Sequence, residues 1–331
     1  MPSPSSSRNS GSKVSTRWRP LLALSALPLI TSCGRITAGR ETIDLGDRVI
    51  SVTATTGQVA DLVTEVGGER VDVARLMGPG VDPHLFKASE RNVEDLIDSD
   101  AIFYSGLHLE GKLGEVLERL EERRPVAAVT NSIPPDLLMS PPDFAGNPDP
   151  HFWFDPTLFA YATDQAGASL SQIDPSHADM YAANAASYKS KLSEADDFAF
   201  EQFATIPDQQ RVVVTAHDAF GYLGRRYGLD VVGLQGISTS TEAGIRDVQR
   251  IADLLVERQI PAIFVETSVP RRTIEAVQVS TANRGWSVVI GGQLYSDALG
   301  DEGTPEGTYL GMFRYNVETI ARSLKGEMAA P

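Results

Sequence analysis

Few residues of this chain have side chains suited to chemistry: five histidines, at positions 84, 108, 151, 177 and 217, and a single cysteine, Cys33, among 331 residues. One cysteine cannot form an intramolecular disulfide. Imidazole is the commonest metal ligand and a proton carrier near neutral pH, so the local setting of each histidine decides its use. His84 closes the tripeptide Asp82-Pro83-His84, and His151 closes a second one, Asp149-Pro150-His151. His217 follows the β-branched run RVVVT at 211–215. All three stand where a strand or an irregular loop ends, which is where α/β folds gather ligands. His108, within Gly106-Leu107-His108-Leu109, and His177, in the first turn of a long helical pattern, read instead as surface or hydrogen-bonded residues. Asp297 offers a carboxylate from the loop that follows Gly291-Gly292-Gln293-Leu294-Tyr295-Ser296. The four positions 84, 151, 217 and 297 are separated by 67, 66 and 80 residues, unlike the local spacing of a zinc finger. They are expected to come together across a cleft, two from each side.

The elements that would position them alternate between strand and helix. Strands are expected at 49–53, 100–104 and 125–130, with helices at 57–66 and 110–123. A proline-rich irregular stretch occupies 133–150, and a helical pattern 156–171. A second series has strands at 211–215, 231–234, 262–265 and 287–290, with helices between them and a last helix over 307–324. This alternation implies parallel sheets flanked by helices. Between the two series, 176–204 has no Gly or Pro and repeats its apolar residues at helical spacing, after the N-terminal signal Asp174-Pro175-Ser176. The expected fold is α/β: two lobes, each a mainly parallel sheet flanked by helices, joined by one long rigid linker helix. The lobes are placed at 48–175 and 207–326, with the linker at 176–206.

The first 33 residues are read as a leader rather than as fold. Lys13, Arg17 and Arg19 precede the ten-residue apolar run LLALSALPLI, which has the length of a signal-peptide core and is too short to span a bilayer. Ile30-Thr31-Ser32-Cys33 then has the form of a lipobox. Residues 1–33 are thus expected to be a signal peptide with lipidation at Cys33, and 34–47 a polar tether, leaving the domain membrane-anchored outside the cytoplasm. Removing Arg8, Lys13, Arg17 and Arg19 takes the formal charge from -15 to -19. So acidic a chain is a poor partner for nucleic acid, which needs clustered Lys and Arg.

Six segments, in matching order over about 48–326, resemble one known family. They are Asp82-Pro83-His84, the run DAIFYSGLHLE at 100–110, DPHFWFDP at 149–156, TAHDAF at 215–220, FVETS at 264–268 and LYSD at 294–297. With the lipobox, they make the chain similar to the zinc- and manganese-specific substrate-binding lipoproteins of ABC importers (cluster A-I). The resemblance implies two lobes on a rigid helix, a metal between them on His84, His151, His217 and Asp297, and delivery as a monomer to an ABC permease and its ATPase. In this family manganese binders usually carry glutamate at the third ligand position and zinc binders histidine, and this chain has His217. The histidine-rich loop common among zinc-specific members is absent, since residues 122–150 contain no histidine.

Three imidazoles and one carboxylate suit tetrahedral zinc, whereas manganese prefers more oxygen ligands. Zn2+ is therefore the expected cargo, with Mn2+ or iron as the alternative. A closed four-ligand set also argues against catalysis, because catalytic zinc keeps a position open. A zinc hydrolase would need that open position and a general base, and a surface adhesin would leave the four ligands without a purpose. Asp155, Asp218 and Glu266 are candidates for orienting the imidazoles, although Asp155 and Asp218 equally suit helix caps.

Overall fold

The computed structural model describes Gly46, residues 48–144 and residues 146–327. Cys33, the leader at 1–33 and nearly all of the tether at 34–47 lie outside the described residues.

Short β-branched runs bounded by turns form the first sheet. β1 (Ile50–Ala54) leads into α1 (Gly57–Gly67), whose N-terminus is capped by the Thr56 hydroxyl accepting from Val59 N–H. β2 (Val71–Arg75), α2 (Glu90–Asp98), β3 (Ala101–Tyr104), α3 (Gly114–Glu121) and β4 (Val126–Ala128) follow. The four strands are parallel in the order β2-β1-β3-β4. β2 was not among the expected strands. It lies at the sheet edge and alternates half-buried and exposed residues through Val71-Asp72-Val73-Ala74-Arg75, so it lacks the apolar run of a central parallel strand. Expected strand 125–130 stops at Ala128, and the next four residues turn into a 3-10 helix.

α4 (Pro156–Ile173) packs against α5 (Ala178–Ala204), the long helix between the two series. At 27 residues, α5 extends about 40 Å. Its buried Tyr181, Ala185, Tyr188, Leu192, Ala195, Ala199 and Phe203 recur every three or four residues and form one apolar stripe. The second series comprises β5 (Val212–His217), α6 (Gly221–Tyr227), β6 (Asp230–Gln235), α7 (Ile245–Arg258), β7 (Ala262–Glu266), α8 (Arg272–Ala282), β8 (Val289–Leu294) and α9 (Tyr309–Leu324). β5 pairs with β6 and β7 with β8, both parallel, and β5 lies beside β7. One continuous apolar core runs through both lobes. Phe159 of α4 stacks on Tyr309 of α9 at 3.9 Å between ring centroids, and Phe154 meets Phe220 at 4.3 Å. Among the described residues, no helix is long and apolar enough to cross a membrane.

The chain turn after β5 is built by close backbone approach. A Cβ at Gly233 of β6 would lie 2.5 Å from the Asp218 backbone nitrogen and 2.6 Å from the Gln235 carbonyl oxygen, whereas one at Gly236 would meet nothing within 4 Å. Gly233→Ala should therefore push the 217–218 backbone aside and destabilise the fold by about 2 kcal/mol, while Gly236→Ala stays within about 0.5 kcal/mol of wild type. Paired denaturant titrations of the two variants measure the difference.

Candidate metal centre

The four side chains come from four separate segments of the chain. His84 lies on the irregular stretch after β2, His151 at the close of the proline-rich stretch before α4, and His217 is the last residue of β5. Asp297 lies three residues beyond β8. The two Asp-Pro-His tripeptides fold alike at the backbone. Asp82 accepts from His84 N–H and Asp149 from His151 N–H, both at 2.9 Å, the turn that an Asx side chain makes two residues ahead of itself.

The rings then converge. His151 gives its Nδ1–H to Asp149 at 2.8 Å, and His217 gives its own to Glu266 at 2.6 Å. Glu266, the last residue of β7, also accepts from His217 N–H at 2.8 Å. An ionised carboxylate only accepts, so these bonds put the hydrogen on Nδ1 and turn Nε2 toward the centre. There His84 Nε2 lies 3.3 Å from His151 Nε2, and the Asp297 carboxylate oxygens lie 3.3 Å from His151 Nε2 and 3.3 Å from His217 Nε2. One ligand atom from each of the four residues falls within 4.8 Å of all the others. His84 is 8% exposed and the other three no more than 1%. His217 Nε2 and both Asp297 oxygens are buried without a hydrogen-bond partner. Each such atom costs about 1–3 kcal/mol, and a cation in their midst would satisfy all three.

The charge pattern is set by the carboxylates behind the rings. Burial alone would discharge His151, but Asp149 and Asp297 outweigh it and raise its pKa to about 9. His217 is likewise held well above the ordinary histidine value, with Glu266 and Asp297 overcoming burial. The same two imidazoles hold Asp297 well below the usual carboxylate range against the effect of burial. Burial, with two neighbouring imidazoles, lowers the pKa of His84 to about 3.

Of the residues expected to orient the imidazoles, Glu266 touches His217 directly. Asp155 instead caps α4, accepting from Thr157 N–H at 3.0 Å, and pairs with Arg226 at 3.5 Å. Asp218 is half-buried beside the centre, its pKa raised by burial and by Asp149. Asp149 was not singled out from the sequence, although it lies inside the tripeptide that flagged His151. His108 is exposed, and His177 bonds Asp174 at 3.0 Å at the start of α5, away from the centre. Gly291 and Gly292 belong to β8, where a Cβ would strike Ser323 or Thr319 of α9. The Asp297 loop is itself tied down. The Ser296 carbonyl accepts from Gln58 at 3.2 Å and from the Trp153 indole at 3.1 Å, and the Ser296 hydroxyl meets that of Ser268 at 2.9 Å.

Residues 52–323 match the family described as zinc-uptake complex component A, periplasmic. The manganese-binding lipoprotein MntA of Bacillus subtilis is 48% identical over 296 residues, covering 89% of this chain and 95% of that one. The zinc-binding protein TroA of Treponema pallidum is 42% identical over 275 residues, covering 82% and 88%. Its solved structure superimposes with a TM-score of 0.81 over 83% of this chain and 99% of TroA. The manganese ABC transporter substrate-binding lipoprotein PsaA of Streptococcus anginosus is 27% identical over 312 residues, covering 92% and 97%.

Glu266→Gln removes the charge that fixes the His217 tautomer and should weaken divalent-metal binding by about 10–100-fold. Asp155→Ala should leave that affinity in place and lower folding stability by about 1 kcal/mol through the lost cap. Chelator-competition titrations and thermal melts of both variants separate the two roles.

Proposed function

This chain belongs to the zinc-uptake complex component A family, and on that premise we propose that it captures a divalent transition metal outside the cytoplasm and passes it to an ABC permease driven by its ATPase. His84, His151, His217 and Asp297 hold the metal; Glu266 and Asp149 orient their imidazoles. One observation carries this reading: three buried, unpaired polar atoms, His217 Nε2 and both Asp297 oxygens, face one volume among the imidazoles. Lipid on Cys33 anchors the domain, as the relatives named lipoproteins suggest. The role is carriage rather than catalysis, since four protein donors leave no position reserved for a substrate.

Zinc is the cargo this donor set favours, because three nitrogens and a carboxylate suit tetrahedral zinc and the divalent series places zinc above manganese at nitrogen-rich sites. Relatives named for manganese and for zinc match the chain at similar identity, so the choice of zinc rests on the donor chemistry alone. Competition between zinc and manganese for the metal-stripped chain, repeated with His217→Ala, tests the assignment. Zinc should bind one to one, resist displacement by manganese and be lost or greatly weakened in the variant. Manganese binding as tight as zinc would replace zinc as the cargo, and failure to bind either metal would remove the site.

Proton linkage supplies a second expectation. The pKa values of His151 and His217 are raised, that of His151 to about 9, whereas that of His84 is lowered to about 3. Protons compete with metal for the nitrogens of the first two, so affinity should fall as the pH is lowered. Metal binding should therefore release protons near neutrality, as calorimetry in buffers of different ionisation enthalpy would measure.

A further inference from the structure

The two Asp-Pro-His tripeptides spend their aspartates differently. Asp149 gives the same oxygen to the backbone N–H and to the ring of His151. Asp82 accepts from His84 N–H with Oδ1 but turns Oδ2 away from its own histidine, to accept a 2.6 Å hydrogen bond from the Thr239 hydroxyl. Thr239 lies on the segment between β6 and α7, in the other lobe, 157 residues along the chain. Despite exposed neighbours at Ser240 and Thr241, Thr239 itself is buried.

That bond sits where the centre can open. His84 is the most exposed of the four residues, and no carboxylate among the described residues takes a hydrogen from its Nδ1. Its neighbour Leu85 is 52% exposed, and the surrounding backbone has no regular structure. The other hydrogen bonds that cross between lobes near the centre hold different parts. Gln58 and Trp153 secure the Ser296 carbonyl beside Asp297, and the Tyr222 hydroxyl donates to the Asp149 carbonyl at 2.9 Å. Among the described side-chain hydrogen bonds, only Asp82–Thr239 ties the stretch bearing His84 to the second lobe.

We infer that Thr239 is a positioning residue for the metal: its hydrogen bond to Asp82 latches His84 over the other three donors, and metal enters and leaves when that latch opens. The inference rests on the metal-carrying reading of the same centre. A hydroxyl bonded to a carboxylate is one of the stronger side-chain hydrogen bonds, and its loss should lower the barrier to His84 swinging out.

Release of zinc from the purified full chain into excess chelator, followed by stopped flow, tests the latch in wild type, Thr239→Val and Thr239→Ser. Valine keeps the shape without the donor, and release should quicken about tenfold. Serine restores the donor and should restore the wild-type rate. The visible spectrum of the cobalt-loaded valine variant should match wild type, because the donor set is untouched. Wild-type release from the valine variant, equally fast release from the serine variant, or an altered cobalt spectrum would each overturn the latch while leaving the metal site standing. A wild-type chain that retains no zinc would overturn both.

Discussion

Lone pairs that face one another away from water repel, and here that repulsion is concentrated between His84, His151, His217 and Asp297. The fold does not relieve it by supplying donors. It places Asp149 and Glu266 behind two of the rings, which turns their Nε2 atoms inward. With Asp297 three carboxylates surround the rings, and a cation among them would engage the buried atoms that have no hydrogen-bond partner.

Holding such a cluster together demands a stiff frame. The apolar core is continuous across the lobes, and aromatic stacks such as Phe159 on Tyr309 close their junction. Asp61 of α1 adds a polar tie at the same place, accepting from the Tyr188 hydroxyl of α5 at 3.1 Å and from the Tyr309 backbone of α9 at 3.0 Å. Separating the lobes as rigid bodies would expose all of this at once. Movement confined to an irregular segment exposes little, and the stretch bearing His84 is the one ligand-bearing segment with few such ties.

Much of this was legible in the sequence, and the gaps have physical reasons. The strand-helix alternation and the uninterrupted pattern at 176–204 foreshadowed two lobes and α5, because buried parallel strands and long amphipathic helices leave strong periodic signals. β2 left none, since an edge strand is half wet. The four converging residues were visible as the ends of elements. What tripeptide spelling could not convey is that Asp149 and Asp82 share a backbone turn and then diverge, one toward its own ring and one across the cleft, because the partner of Asp82 lies 157 residues away. The Gly291-Gly292 pair is silent for a related reason: glycine in a strand can signal close packing, here against α9, as readily as a bend.

Asp297 is the one residue of the four that brings two oxygens to the centre. The three imidazoles offer one nitrogen each and have no freedom to offer more, while neither Asp297 oxygen is engaged elsewhere. One oxygen completes a tetrahedral set that suits zinc. Two would make five donors, closer to what manganese prefers. Which arrangement prevails depends on how far the carboxylate can rotate, and Asp297 sits next to Ser296, whose carbonyl is pinned from the first lobe by Gln58 and Trp153. Those two donors restrain the backbone from which the carboxylate turns, so residues that touch no metal help set how many oxygens reach it.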